Sequence, residues 1–319
     1  MNHKQLGGTL MLLLTAFIWG VAFVAQDKGA AYVGSFTFQA LRSLLATVLL
    51  TLLCMVRNGW AGKKGTYTPP SKEGRRTLLW GGIACGVLLC TASLLQQFGI
   101  ANNTSSPGKD AFITALYIVF VPILGLLFGK RSQPHVYACV VVALVGLWML
   151  CMGGSGITTG DIQVILCSLA FSFHIMLVDH IAPRVDGVRL SCIQFCTVSV
   201  ISGVCMLLFE RPTWENILAA MGSIVFAGVL SSAGGYTLQI LGQKHTPPTV
   251  ACLVMSLESV FAVIASMIFL PEVPAPTARE WIGMVLIFVG IIVSQLPLRY
   301  GKKKKEAQTC SDEQNQEEI

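Results

Sequence analysis

The sequence predicts an all-α integral membrane protein, with ten transmembrane helices arranged as two inverted five-helix repeats. Three observations predict it: a composition too apolar for water, apolar runs of membrane-spanning length along the whole chain, and ordered matches between its two halves. Of 319 residues, 54% are hydrophobic and 12% charged, against about 25% charged in soluble domains. A soluble protein of this size would show amphipathic helices with a charged face, whereas here apolar runs of about 20 residues recur.

The first run, Leu6–Ala25, is expected to stay as a span, because Phe23 occupies the small-residue position of the one signal cleavage that fits, after Ala25. Further runs follow at Ser35–Val56, Thr77–Gly99, Gly108–Phe128, Pro134–Met152, Asp161–Ile181, Arg189–Phe209, Asn216–Leu241, Pro247–Leu270 and Trp281–Pro297. Polar or turn-rich stretches such as Arg57–Arg76, Asn102–Pro107, Gly153–Gly160 and Pro271–Pro276 separate them. Segments this long satisfy their own backbone in lipid only as helices.

Basic residues set the expected orientation. Of the 22 Lys and Arg, only Lys28, Lys109, Arg211 and Arg279 fall in loops on one side; Arg42 lies within a span, and all the others fall on the opposite side. Such a bias predicts cytoplasmic N- and C-termini and an even number of spans. The run Lys302–Lys305 is then expected to lie against anionic headgroups, and Glu306–Ile319 to be polar and disordered.

The eleven cysteines sit mostly alone in apolar runs, as at Cys54, Cys85, Cys139, Cys151 and Cys252. Cys192 and Cys196 lie one helical turn apart without the further ligands that zinc requires, so they read as small buried hydrophobes. Neither a metal nor a cofactor is expected. With no phosphate-binding GxxxxGK[ST] loop, nothing in the chain points to nucleotide-driven pumping.

The internal matches keep their order. An offset of 152 residues superposes Gly8 on Gly160 and Asp27 on Asp179, and sets Arg42 opposite Gln194. An offset of 141 superposes Gly81 on Gly222, Pro107 on Pro248, and Leu116–Phe120 on Leu257–Phe261; an offset of 144 pairs Gly146 with Gly290. The expected units are residues 1–152, a first five-helix repeat; 153–298, a second and inverted one; and 299–319, the basic and polar tail. Five spans per unit is an odd number, so the copies enter the membrane in opposite senses, which is the arrangement secondary transporters use for alternating access.

At this point the chain resembles the EamA family of the drug/metabolite transporter superfamily over residues 6 to 297. The resemblance rests on Trp19-Gly20, on Phe38-Gln39-Ala40-Leu41-Arg42, and on Phe112-Ile113-Thr114-Ala115-Leu116-Tyr117 leading to Val121-Pro122. Leu257-Glu258-Ser259-Val260-Phe261 followed by Leu270-Pro271-Glu272 completes it. It implies ten-helix carriers, many exporting amino acids and other metabolites, with a central cavity between the halves. The chain departs from the family at Arg131, where similar first halves carry Glu, and at Ser259, where many carry Pro.

Taken together, these features predict a non-enzymatic secondary transporter in the cytoplasmic (inner) membrane, moving an amino acid or related small molecule by alternating access, most simply outward. Its expected partners are that small-molecule substrate and membrane lipid, not nucleic acid; a homo-oligomer is left open. Two alternatives remain at this stage: a membrane enzyme acting on a lipid-linked substrate, and a non-transporting sensor or scaffold.

The expected site is drawn from polar residues inside spans. Glu258 lies near mid-bilayer, where a carboxylate costs several kcal/mol unless paired, hydrated or protonated; it is either a proton-coupling group or a helix-packing one. Its repeat mate Tyr117 either offers a hydroxyl across the cavity or packs. His174, also near mid-depth, either relays a proton or bonds a neighbouring helix. Arg42, shallow enough to snorkel, either receives a substrate carboxylate or, as the resemblance favours, has a structural or gating role. Gln96, Gln97, Tyr236 and Gln239 either bind substrate or join helices. Trp19, matching the family's first-span tryptophan, is either a cavity residue or an interfacial aromatic. Lys109 and Asp110 open the fourth span, with Ser105 or Ser106 as its cap and Lys109 as a possible outer-mouth cation. In-span glycines, with Pro122, permit close approach and bending.

Overall fold

The computed structural model describes residues 3–64, 71–102, 107–129, 133–151, 158–270 and 277–295. All regular structure among the described residues is helical. The first part of the chain forms α1 (His3–Ala30), α2 (Ser35–Lys63), α3 (Lys72–Asn102), α4 (Pro107–Thr114), α5 (Tyr117–Leu127) and α6 (Pro134–Cys151). Then come α7 (Thr159–Ile181), α8 (Gly187–Phe209), the short α9 (Trp214–Ala219) and α10 (Met221–Val225), and a π-helical segment, Phe226–Gly235. The chain continues through α11 (Tyr236–Gln243), α12 (Pro248–Met255), α13 (Glu258–Phe269) and α14 (Ala278–Gln295).

Eight helical stretches among the described residues are long and apolar enough to cross a bilayer. Apolar helices at Pro134–Gly146 and Trp281–Ser294 fall short of that length; they belong to α6 and α14, which stand where the fifth and tenth spans are expected and pack against each other. Each has 18 residues, or about 27 Å at 1.5 Å per residue.

Several helices outrun the apolar runs that announce them. α1 continues past Ala25 to Ala30, and α2 past Val56 to Lys63. Hydropathy marks the hydrocarbon layer, whereas a helix carries on through the headgroups, about 40–45 Å in all. The eighth span begins later than Asn216, because α9 is a separate short helix capped by Thr213, whose side chain accepts from Asn216 N. The expected caps Ser105 and Ser106, the departure at Arg131, the motif residues Pro271 and Glu272, the Lys302–Lys305 run and the tail lie outside the described residues.

The fourth and ninth spans, continuous as apolar runs, are each broken. At the first break the backbone bonds shorten to i→i−3: Leu116 N donates to Ile113 O (3.2 Å) and Ile118 N to Ala115 O (3.0 Å). At the second, Leu257 N donates to Val254 O (3.3 Å) and Ser259 N to Ser256 O (3.2 Å). Pro122 removes a donor from α5. On the other side Ser256 Oγ and Ser259 Oγ donate to main-chain carbonyls, each at 2.7 Å, and so keep the loosened backbone satisfied.

Polarity runs inward. Leu52, Leu53, Val200, Leu207 and Phe209 face outward, exposed, while Gln26, Gln39, Ser93, Gln97, His174 and Gln194 are buried. That distribution suits lipid as the solvent. α2 lies along α8, α3 along α7 and α8, and α1 along α13 and the π-helical segment. Gly20 brings α1 onto α13: a Cβ there would overlap Phe261 Cβ and lie 2.8 Å from the Glu258 carbonyl oxygen. The described cysteines are all free thiols, and Cys85, Cys90, Cys139, Cys167 and Cys252 are buried. Cys196 is exposed, at variance with a buried reading, because its face of α8 points outward. No group of three metal-ligating side chains occurs among the described residues.

Candidate functional site

The two helix breaks meet at the centre of the molecule. Tyr117 opens α5 and Glu258 opens α13, and the Tyr117 hydroxyl donates to Glu258 Oε1 at 2.8 Å. The two residues are 141 positions apart, the same offset that superposes Leu116–Phe120 on Leu257–Phe261. Each break ends one short helix and restarts another, which turns both side chains into the same interior space.

That space is a narrow cavity, with about 20 Å³ open to the centre of a water-sized sphere. α1 supplies Trp19, Phe23 and Gln26; α2 supplies Arg42, and α3 Gln96. Phe171 and Ile175 come from α7, Ser231 from the π-helical segment, and Tyr236 and Gln239 from α11. Gln96 Nε2 donates to Thr114 Oγ1 (3.2 Å), which ties the last residue of α4 to the wall.

Arg42 does not snorkel. It is 3% exposed, and its Nε donates to Gln39 Oε1 (2.7 Å) and its Nη1 to Gln26 Oε1 (3.0 Å). Gln39 Nε2 in turn donates to Ser93 Oγ (2.7 Å), and Gln97 Nε2 to the Gln26 carbonyl (3.3 Å). Phe38 lies 5.8 Å from the guanidinium carbon. Acceptors one turn away on α2 and across on α1 replace the hydration that reaching the headgroups would have supplied, so the charge stays inside.

Trp19 is placed well within α1, away from either end. Its ring packs at a tilt against Tyr236 with centroids 4.6 Å apart, and its Nε1 donates to Ser231 O (3.3 Å). The π-helical geometry makes that carbonyl available, and Gly235 O likewise accepts from Thr15 Oγ1 (3.2 Å). Glycine is required at 235, where a Cβ would lie 2.6 Å from Trp19 Nε1. π-helical turns of this kind recur at functional sites.

Of the residues expected from sequence, Trp19, Arg42, Gln96, Tyr117, Tyr236, Gln239 and Glu258 line this one cavity. His174 and Gln97 do not. His174 stands behind Tyr236, ring centroids 6.2 Å apart, and its Nε2 bonds Gln194 Oε1 at 3.2 Å. Lys109 is not an open cation at a mouth but pairs with Asp161 at 2.9 Å; Asp161 in turn forms a capping box with Thr158 at the start of α7. Asp110 is buried in the first turn of α4. Gln26, Thr114, Ser231, Phe23, Phe171 and Ile175 were not expected. Gln26 was missed because it follows the apparent end of the first span, although a glutamine beside a long apolar run was the available signal.

A polytopic helical membrane protein with an arginine and a glutamate, Arg42 and Glu258, on an internal cavity is the class that this fold and site define. The chain matches the EamA-like transporter family at residues 6–152 and again at 158–295. It belongs to that family, and it is a membrane transporter. Over 307 residues it is 26% identical to the threonine/homoserine exporter RhtA of Escherichia coli (strain K12), covering 93% of this chain and 94% of that one. An uncharacterized transporter of Archaeoglobus fulgidus is 25% identical over 298 residues, covering 92% and 87% respectively. A protein solved by crystallography superposes with a TM-score of 0.70 at 18% identity, over 92% of this chain and 97% of that one, which bears on the fold.

Proposed function

We propose that this protein is a secondary transporter that exports a small zwitterionic metabolite, an amino acid or close relative, across the cytoplasmic membrane by alternating access. The observation that carries the proposal is that one cavity is lined by both a guanidinium and a carboxyl group: Arg42 from α2 and Glu258 from α13. A guanidinium suits a carboxylate, and a carboxylate suits an ammonium group, so the two ends of an amino acid have partners. Trp19 and Tyr236 offer apolar faces between them. The exporter named among the relatives supports this substrate class and direction.

Residues 1–152 and 153–298 are proposed as inverted copies whose relative rocking opens the cavity to each face, with both termini cytoplasmic. Support comes from the hydrogen bond between the equivalent Tyr117 and Glu258, and from helix breaks at matching positions. The packing recurs as well: α1 meets α13 as α7 meets α4 and α5. Glu258 is the proposed proton-coupling group, with His174 second because it stands off the cavity.

The test is counterflow of a panel of radiolabelled amino acids into proteoliposomes, with and without an imposed pH gradient. Saturable flux lost in Glu258→Gln and Arg42→Gln is expected. Flux unchanged in both variants would remove these residues from the site, and product formation without flux would favour an enzyme.

A further inference from the structure

α2 and α8 run side by side, and at each end of their seam the C-terminal end of one helix closes on the first turn of the other. At one end is Glu210, directly after α8. Its carboxylate accepts from Phe36 N (3.0 Å), Thr37 N (2.8 Å) and Thr37 Oγ1 (2.6 Å), so it caps α2 from outside. The residue in the cap position is Gly34, which has no side chain to do so. A Cβ at Gly34 would overlap the Glu210 carboxyl group.

The opposite end uses the same three positions. Asp186 caps α8 by accepting from Arg189 N (2.9 Å), and Arg57 near the end of α2 bonds its Oδ2. Arg189 Nη2 donates to Asn58 Oδ1 (2.8 Å). The offset of 152 residues that sets Arg42 opposite Gln194 also sets Gly34 on Asp186, Thr37 on Arg189, and Asn58 on Glu210. Thus the Thr37–Glu210 and Arg189–Asn58 contacts are one contact made twice, at opposite ends of the seam.

We propose that these contacts are paired clamps which release in turn, so that Glu210 at one end and the Arg57–Asp186 pair at the other decide which face of the transporter opens. The proposal rests on the two-sided access argued above. α2 carries Arg42, and α8 backs Tyr236 through Phe195, whose ring centroid lies 5.4 Å away. Splaying the seam at either end therefore moves two walls of the cavity. The clamps differ in strength. Glu210 holds three donors, whereas Arg57 and Asp186 are 42% and 36% exposed in their side chains and screened by solvent. The Glu210 end is the harder to open.

The experiment places a reporter thiol in the cavity by Ser231→Cys and measures its rate of reaction with a membrane-impermeant thiosulfonate. Full-length protein is used in sealed vesicles, with reagent on one face at a time; vesicles without Ser231→Cys give the background from native thiols. Glu210→Gln, and independently Gly34→Ala, are expected to speed reaction from the Glu210 face about tenfold, the factor a lost charge-assisted hydrogen bond brings to a two-state equilibrium. Asp186→Asn, which keeps a capping oxygen, is expected to speed reaction from the other face by a smaller factor. If the reporter reacts in the parent but no variant alters its sidedness, or all alter the same face, the clamps are static and the proposal is overturned. A reporter that reacts from neither face in any background would overturn two-sided access itself, and the clamps with it.

Discussion

Positions 42 and 194 are equivalent under the internal offset, yet the interior around them is built differently. In the first half a guanidinium has acceptors on two sides: Arg42 donates to Gln39 and Gln26, and Gln39 passes the chain of bonds to Ser93. In the second half Gln194 bonds His174 through one oxygen, and Gln194 Nε2 and His174 Nδ1 have no partner. One family model fits both halves, and the chemistry at these two positions differs. A buried charge persists where neighbouring acceptors replace water, and a neutral pair stands where they are missing.

The most severe way to break that contrast is Gln194→Arg, which puts a second buried guanidinium beside His174. We expect a loss of several kcal/mol, seen as a collapse of folded yield in detergent size-exclusion profiles. Next in size is Arg42→Gln. It leaves the Gln26 and Gln39 oxygens short of donors, at about 1–3 kcal/mol for each unsatisfied group, and lowers substrate affinity about a hundredfold, measured by thermal unfolding and by flux. Tyr117→Phe removes one bond from Glu258 and should cost about 1–3 kcal/mol, read from the same unfolding curves. The smallest effect is expected for the double replacement His174→Phe with Gln194→Leu. Exchanging both partners for apolar groups of similar shape should hold stability within about 1 kcal/mol; a large loss there would mean that the second-half pair is as integral as the first.

Much of the fold was legible because apolar runs measure the bilayer directly. The runs beginning at Ser35, Pro134 and Asp161 meet helices that begin within two residues of them. The breaks at Leu116 and Leu257 were not legible, since long apolar runs continue on both sides of them and hydropathy is blind to a change in backbone bonding, even where Ser256, Glu258 and Ser259 interrupt the second run. The site was read in part. The offset of 141 pairs Tyr117 with Glu258, and they do meet. Arg42 was placed too near the surface, because depth along a span says nothing about which acceptors fold back onto the side chain. Gln39 lies one turn away on α2 itself, and Gln26 is brought to it by the packing of α1.

The π-helical segment has a consequence for how this protein tolerates change. Two of its links to α1 are accepted by main-chain oxygens, Ser231 O and Gly235 O. Main-chain acceptors survive any replacement that leaves the backbone path alone, so residue types along 226–235 are free to drift wherever small size suffices, except at Gly228 and Gly235, where a Cβ would crowd the Arg42 carbonyl oxygen and Trp19. The donors are side chains, Trp19 and Thr15, and have no such freedom. Short of adding bulk at position 228 or 235, loosening or retuning this junction means working from the first helix, because the eighth span holds its share of the bond in atoms that mutagenesis leaves in place.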